Sequence, residues 1–507
     1  MNASAPSGRP SCRKLRPFSY NLMVAALFKF LLLLSCLSMF VLKREYKPAV
    51  FIFCYTLLSE VSLPLPMGNT VYFLPMFFIL TEGLQIKQMI HAFQIRELVL
   101  ALLVFVVTFL YTYADSPHYW GSIKQFVTLL FRECITTYFI LIVGFYSLKN
   151  VNTFRPFLKV SFWSLCLLTF FGVINVITKQ STILDLVTGG VLKQEIAVGR
   201  MFTDNIRFRA QSLFIQPFDY GYTCLILMLV QVYGYTRGLV KKRMMVLAVA
   251  MCLFGAVACE CRTILFSLII GFLAYSSLYL KGSKVPIYVV VFIILAVSLY
   301  HFSPFIKEKT DFIVSVFNDE ENDVGGSSLG IRLIQFDRVL SYLRGGHFLT
   351  GRGYDYFWID LQYYKGQEYS LDPQLYGLEG VHLKYLLERG IVGYVLYLLF
   401  YILLISYLWR HRHSNREEAS AALALLAVYM SFAHMTGELK SLPPTLLLLG
   451  MYLRLIQEES WKYVRYQRKV FNARYRHRQL SRLRSHGKVH PGGTLPNHNP
   501  VPAGDRR

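Results

Sequence analysis

Long uninterrupted apolar blocks are the feature that most constrains this chain. They run for about 17 to 22 residues, which is enough for a helix to cross the hydrocarbon core of a bilayer. Of the 507 residues, 54% are hydrophobic and 16% are charged, whereas soluble proteins carry about 25% charged residues. A soluble fold with a large core does not need so many unbroken runs. The sequence therefore predicts an all-α, polytopic membrane protein.

Hydropathy places 12 or 13 candidate spans. Their approximate bounds are 20–42, 49–64, 69–86, 98–114, 126–147, 157–178, 213–234, 243–259, 262–280, 286–303, 388–408, 419–436 and 441–456. Thirteen spans with a cytoplasmic C-terminus would put the basic segment Arg13–Arg16 outside, against the positive-inside rule. We expect about 12 transmembrane helices, with one short or re-entrant segment in the stretch 49–86, which Pro64 and Pro66 interrupt.

The charge distribution predicts the orientation of the chain in the membrane. There are 53 basic and 30 acidic residues, a net charge of +23. Much of this excess lies in short loops and in the tail, as in Lys241–Arg243, Arg410–His413 and the segment from Lys462 onward, which we expect to be cytoplasmic. Topology thus accounts for the charge without nucleic acid as a partner.

The cysteines and other metal-ligating residues indicate no metal site and no cofactor. The nine cysteines are scattered, mostly inside apolar blocks, and do not form a disulfide framework. No group of His, Cys and Asp residues has the spacing of metal ligands.

Four regions follow from this pattern. Transmembrane helices occupy 1–303, a large extracytoplasmic loop occupies 304–387, further transmembrane helices occupy 388–456, and a basic cytoplasmic tail, disordered at its end, occupies 457–507.

The extracytoplasmic loop contains one predicted amphipathic helix. Apolar residues recur at helical spacing from Leu329 to Leu343, after the capping pair Ser327-Ser328 and before Gly345-Gly346. We expect this helix to lie on the outer membrane surface or against the helix bundle. The segment that follows it, Leu349–Tyr354, contains two glycines and predicts a tight turn.

Four side chains that could carry chemistry lie where external loops meet spans. They are Arg209, Arg262, Arg332 and His382. Charge at the edge of the hydrocarbon is costly unless it is paired or hydrated. Three guanidinium groups at one membrane face would form an anion site suited to phosphate oxygens. A neutral imidazole beside them could take a proton near neutral pH.

Structural interpretations of the same residues stay open. An arginine at the end of a span can simply reach lipid headgroups, and a histidine there can be a hydrogen-bonded structural residue. Glu379 could be a solvated loop acid, and Glu388 could form a local ion pair with Arg389.

Two other classes of function are also compatible with the chain. Transporters carry charges near the bilayer midplane, and Lys29 and the pair Arg132-Glu133 lie inside predicted spans. A transporter or flippase for a lipid-linked sugar is therefore one alternative, and a non-catalytic membrane scaffold is another.

The order of motifs resembles the O-antigen ligase/polymerase family of bacterial inner-membrane glycan transferases. The matching elements are Arg209…Phe214…Pro217…Gly221, Arg262-Thr263, Arg332, Leu349-Thr-Gly351-Arg-Gly353-Tyr354, and His382…Tyr385-Leu-Leu-Glu388-Arg-Gly390-Ile-Val-Gly393. The chain departs from the family pattern in two places. Cys261 stands where a serine usually precedes Arg262, and Leu383-Lys384 follows His382 where an asparagine is common.

The resemblance implies a metal-independent membrane glycosyltransferase in the bacterial inner membrane. It would move a glycan from an undecaprenyl-pyrophosphate donor to an acceptor hydroxyl, with its active site on the periplasmic side. By similarity, Arg209, Arg262 and Arg332 would bind the pyrophosphate, and His382 would be the catalytic base. Glu379 or Glu388 would orient the imidazole.

The acceptor is a glycan or a lipid, which leaves two branches. Polymerisation of surface-polysaccharide repeat units is favoured by the departures around His382 and by the long external loop. The other branch is an O-antigen ligase that transfers glycan to the lipid A core. Implied partners besides membrane lipids are a flippase and a chain-length regulator.

Overall fold

A computed structural model describes residues 16–61, 70–83, 94–181, 184, 209–279, 329–362, 372, 375, 378, 380–436 and 440–458. Within these ranges every regular element is helical. The predicted span 286–303, the loop residues 304–328, Glu379 and the tail beyond residue 458 lie outside the described residues.

The helices follow the predicted spans closely. They are α1 (Arg16–Val41), α2 (Lys47–Leu57), α3 (Thr70–Gly83), α4 (Arg96–Ala114), α5 (Ile123–Leu130), a π-helical segment (Phe131–Tyr138), α6 (Ile140–Ser147), α7 (Arg155–Thr178), α8 (Pro217–Thr236), α9 (Lys242–Ala258), α10 (Arg262–Tyr279), α11 (Leu329–Leu343), α12 (Val381–His411), α13 (Arg416–Thr436) and α14 (442–458).

Seven helices in the described ranges are long and apolar enough to cross a membrane. They are Met23–Val41, Arg96–Ala114, Ile123–Ser147, Val151–Thr178, Arg262–Tyr279, Val381–His411 and Arg416–Thr436. The predicted class, an all-α multi-pass membrane protein, is confirmed, and the total of about 12 spans stays a prediction.

Helices α2 and α3 are short, in the stretch where a short segment is expected. They have 11 and 14 residues, or roughly 16 and 21 Å at about 1.5 Å per residue, against a hydrocarbon thickness of about 30 Å.

Helices α10 and α13 run antiparallel. Ser431 Oγ donates a hydrogen bond to Ser267 Oγ (2.9 Å) near the start of α10. At the other end, Arg416 Nε donates to the carbonyl of Leu278 (3.2 Å). The N-terminus of α10, where Arg262 lies, is therefore level with the C-terminus of α13.

Helix α8 is also antiparallel to α13. The ring of Tyr222 stacks on Phe432 with centroids 4.3 Å apart, and the Tyr233 hydroxyl donates to Glu418 (3.0 Å). The N-termini of α8 and α10 and the C-terminus of α13 thus share one end of the bundle, which we call the site end.

The predicted cytoplasmic loops lie at the opposite end. Arg237, at the end of α8, pairs with Glu418 at the start of α13. Arg410, at the end of α12, pairs with Glu97 at the start of α4. The basic segments that follow Arg237 and Arg410 are therefore remote from the site end.

The predicted helix is confirmed as α11, but only part of its predicted apolar face packs against the bundle, since Leu333 and Phe336 are exposed. Val339 and Leu343 are buried in one cluster with Leu383 and Leu387 of α12. The helix ends at Leu343, where Gly345 and Gly346 adopt positive φ angles of 83° and 103°, as the sequence predicts.

Helix α12 begins earlier than hydropathy indicates. The predicted span starts at 388, whereas the helix starts at Val381 and is broken at Gly390 (φ 63°, ψ −172°). Lys384, Glu388 and Arg389 interrupt the apolar run, so the first turns do not resemble a span although most of their side chains are buried.

Candidate active site

Two histidines face each other at the site end. His382 lies in the first turn of α12 and is half-buried, and His434 lies in the last turn of α13. Their rings are 5.7 Å apart between centroids and 8° from parallel. His382 is the base that the sequence predicts, whereas His434 is not among the predicted site residues although it also lies at the end of a predicted span.

Hydrogen bonds at both nitrogens hold the ring of His434. Its Nδ1 is 2.8 Å from the carbonyl oxygen of Met430, and its Nε2 is 3.1 Å from the Tyr394 hydroxyl. A carbonyl can only accept, so Nδ1 carries the proton and donates. In this tautomer Nε2 accepts, and Tyr394 is the donor.

Gly380 brings the backbone of α13 against His382. Its φ is +101°, and an added Cβ would lie 2.5 Å from Cε1 of His382 and 2.8 Å from the carbonyl oxygen of His434. The imidazole and this carbonyl are therefore adjacent. Nδ1 of His382 is buried, and the backbone of His434 interacts with this imidazole.

Arg332 of α11 reaches the same place. Its Nη2 donates to the carbonyl oxygen of Met435 (3.2 Å), one residue beyond His434. Its charge also acts electrostatically on the imidazole of His382. Two of the four predicted site residues, Arg332 and His382, are thus together at the end of α13.

The other two arginines lie on neighbouring segments at the site end. The amide of Ala210 donates to the carbonyl of Ala258 (3.0 Å), which ties the segment before α8 to the end of α9. Arg209 interacts electrostatically with Cys261, the residue before Arg262. Both arginines are half-buried.

Glu388 interacts mainly with groups other than His382. It lies six residues after His382, which is about 240° around the helix. It is 2% exposed, and the charges that act on it are those of Lys384, Arg389, Asp355 and Glu133. Its orienting role stays a prediction, as does that of Glu379. The backbone carbonyl of His434, in contrast, lies beside the imidazole of His382.

A buried charge network extends the pair Arg132-Glu133. Arg132 is 3.0 Å from Glu133 and 2.8 Å from Asp355. Glu133 is also 3.3 Å from Arg389, whose guanidinium lies 3.9 Å from the centroid of the Tyr385 ring. Arg132 and Glu133 are in the π-helical segment, a distortion that recurs at functional sites.

Asp355 is the network residue that belongs to the external segment. Burial alone would raise the pKa of its carboxyl, but the charge of Arg132 outweighs burial and the pKa is lowered. The Tyr119 hydroxyl donates a hydrogen bond to the same carboxylate. Asp355 is therefore held as an anion between two other segments.

Of the predicted tight turn Leu349–Tyr354, the first two residues belong to a one-turn helix (His347–Thr350), and the turn itself begins at Gly351 and contacts the break in α12. The amides of Arg352 and Gly353 donate to the carbonyls of Leu387 (2.9 Å) and Glu388 (2.8 Å). These are carbonyls that the non-helical Gly390 leaves available. At Gly351 an added Cβ would lie 2.5 Å from the amide nitrogen of Arg389. The external segment is thereby fastened to the helix that carries His382.

The fold and the site together define the class of protein. The chain is a multi-pass helical membrane protein with partly exposed arginines and a histidine at the end remote from its basic loops.

A family comparison makes this more specific. Residues 246–398 match the family model described as O-antigen ligase. The matched part contains Arg262, Arg332, the glycine turn and His382, whereas Arg209 and His434 lie outside it. The match supports the assignment to the O-antigen ligase/polymerase family, and with it a role in glycan transfer during polysaccharide biosynthesis. No curated protein matches the chain.

Proposed function

We propose that this protein transfers a glycan from an undecaprenyl-pyrophosphate donor to an acceptor hydroxyl at the periplasmic face of the bacterial inner membrane. The observation that supports this best is the position of Arg332 beside His382, within the part of the chain that matches the O-antigen ligase family. The site end is opposite the basic loops, which favours the periplasmic side. Its location at one end of the bundle, away from the midplane, favours transfer over transport.

His382 acts as the general base in this proposal. The acceptor oxygen attacks the anomeric carbon and its proton passes to the imidazole, while the bond from that carbon to the pyrophosphate oxygen breaks. The electron pair of this bond leaves with the pyrophosphate. Arg209, Arg262 and Arg332 stabilise the charge that develops on the leaving group, so the reaction needs no metal ion.

Polymerisation of repeat units is our first candidate reaction. It rests on Leu383-Lys384, which depart from the family pattern after His382, and on the long external segment. The description of the matched family favours a second candidate, ligation of a finished glycan to the lipid A core. The products separate the two: loss of a polymerase leaves single repeat units on the lipid carrier, and loss of a ligase leaves long unattached chains.

The test is transfer by the purified full-length protein supplied with a lipid-linked repeat unit. His382→Ala should lower the rate by about 100- to 10,000-fold, the usual contribution of a general base. His413→Ala is the matched control, because His413 is exposed at the opposite end. Full transfer activity in folded His382→Ala protein would refute the mechanism.

A further inference from the structure

We infer that the carboxyl-terminal end of α13 positions the reacting groups, with His434 as a positioning residue that acts through His382. This inference rests on the proposed function, since it assumes that His382 is the base and that Arg332 binds the leaving group.

The last turn of α13 supplies backbone acceptors to both site residues. Carbonyls in the last turn of a helix have lone pairs free for outside donors and carry the negative end of the helix dipole. The carbonyl of Met435 accepts a hydrogen bond from Arg332. The carbonyl of His434 lies beside the imidazole of His382. One short segment thus contacts both the base and an arginine.

The carbonyl of His434 can select the tautomer of His382. A histidine that acts as a base needs one nitrogen to hold its proton and the other to be free, and a backbone carbonyl often holds the first. Nδ1 of His382 is the buried nitrogen, and the ring edge that carries it is the edge beside this carbonyl. With the Nδ1 proton directed at the carbonyl, Nε2 is left to accept the proton of the acceptor hydroxyl.

The ring of His434 determines where this carbonyl and the facing ring lie. Its bond to Met430 stays within α13, whereas its bond to Tyr394 crosses to α12, the helix of His382. Tyr394 lies beyond the break at Gly390, so this bond ties the second part of α12 to the ring that stacks on His382. The parallel stack limits rotation of the His382 ring.

His434 is not placed to be a second base. Its Nδ1 donates to Met430, and its Nε2 already accepts from Tyr394. Both nitrogens are engaged, so its effect on the reaction is exerted through the geometry of His382.

The experiment compares three variants in the purified full-length protein in nanodiscs, with a lipid-linked repeat unit as substrate. Misplacement of a base by about 1 Å can cost about 100-fold in rate. We expect His434→Ala to lower kcat by about 10- to 100-fold and Tyr394→Phe by about 3- to 10-fold. The KM for the lipid-linked donor should stay unchanged in both, because the arginines still bind it.

Two further comparisons separate positioning from a general loss of structure. The double variant Tyr394→Phe/His434→Ala should be no slower than His434→Ala, since both remove one interaction. His434→Gln restores an oxygen near the Nε2 position, so it should exceed His434→Ala in kcat. That advantage should disappear when Tyr394→Phe is added.

Wild-type kcat in both single variants, or additive losses in the double variant, would overturn the positioning role. If His434→Ala does not fold, Tyr394→Phe, which removes a single oxygen, decides the question alone. His382→Ala is measured in parallel: if it is active the proposed function fails, and if it is inactive while the His434 variants are normal, only the positioning role fails.

Discussion

The imidazole of His382 lies parallel to that of His434, with 5.7 Å between the centroids and 8° between the planes. One ring comes from the first turn of α12 and the other from the last turn of α13. Arg332 binds the carbonyl next to His434, so this stack marks the point where the external helix α11 meets two long apolar helices. The proposed chemistry and the packing of the bundle depend on the same few contacts.

Replacement of Arg332 by alanine should impair transfer more than it impairs folding. The proposed role is charge stabilisation of the leaving pyrophosphate, and removal of one such group typically costs about 100- to 1,000-fold in kcat. Arg332→Lys should recover part of the rate, because the charge returns without the guanidinium fork. Arg344→Ala, an exposed arginine just beyond the same helix, is the control. Unchanged kcat in Arg332→Ala would exclude this role.

Gly380→Ala should displace the His382 ring from the His434 carbonyl. An added Cβ would approach both groups within 3 Å, so we expect a loss of transfer rate of about 10-fold or more by misplacement of the base. Gly238→Ala is the control, because Gly238 also has a positive φ (68°) but has nothing within 4 Å of an added Cβ. Equal transfer rates for the two variants would contradict the expected effect of the contact.

Gly390→Ala should weaken the attachment of the external segment to α12. The backbone there has a positive φ, and an added Cβ would lie 2.7 Å from the amide nitrogen of Gly351. We expect faster proteolysis in the segment 344–362 and a lower melting temperature. Gly345→Ala tests backbone strain alone, since its φ is +83° with open space around it. If Gly390→Ala and Gly345→Ala gave the same proteolysis pattern, the contacts between the turn and α12 would not be what holds this segment in place.

Arg389→Met should destabilise the protein strongly. Arg389 is 2% exposed and pairs with Glu133, and removal of one partner of a buried ion pair costs about 3–5 kcal/mol. The loss should lie at the lower end of this range, because Glu133 keeps Arg132 as a partner at 3.0 Å. Arg410→Ala removes a pair whose arginine is 58% exposed and should cost less than about 1 kcal/mol. Equal melting temperatures for Arg389→Met and Arg410→Ala would show that the buried charge network contributes no more stability than the exposed ion pair of Arg410.

Acid should weaken the attachment of Asp355. Its pKa in the folded protein is below the ordinary value of 3.8, so the carboxylate contributes stability that is fully present above that value. This contribution is lost as the pH falls through the lower, folded pKa. Thermal unfolding from pH 6 to pH 2 should show a steeper decline for the wild-type protein than for Asp355→Asn. Parallel curves would mean that Asp355 makes no such contribution.

Several features follow from local sequence patterns. The long apolar blocks predict the membrane class, the spacing from Leu329 to Leu343 predicts α11, and the glycines of 349–354 predict a tight turn. The structure confirms each of them. These features can be predicted from the sequence because hydropathy, helical periodicity and glycine conformations depend on residues within a few positions of one another.

The early start of α12 shows where such patterns mislead. Its first turns contain three charged residues, Lys384, Glu388 and Arg389, so hydropathy does not identify them as part of a span. Glu388 and Arg389 are nevertheless almost completely buried. The buried charge of Arg389 is compensated by Glu133, which lies on the π-helical segment and itself pairs with Arg132. No pattern within the segment itself records those partners.

The sequence by itself determined the membrane class, the family resemblance and His382 as a candidate base. Only the tertiary structure decided that His434 faces this base, that Tyr394 holds His434, and that Arg389 completes the pair Arg132-Glu133. The physical reason is that these contacts join residues on different helices. They depend on how the helices pack and at what level they align, and local sequence patterns do not specify either.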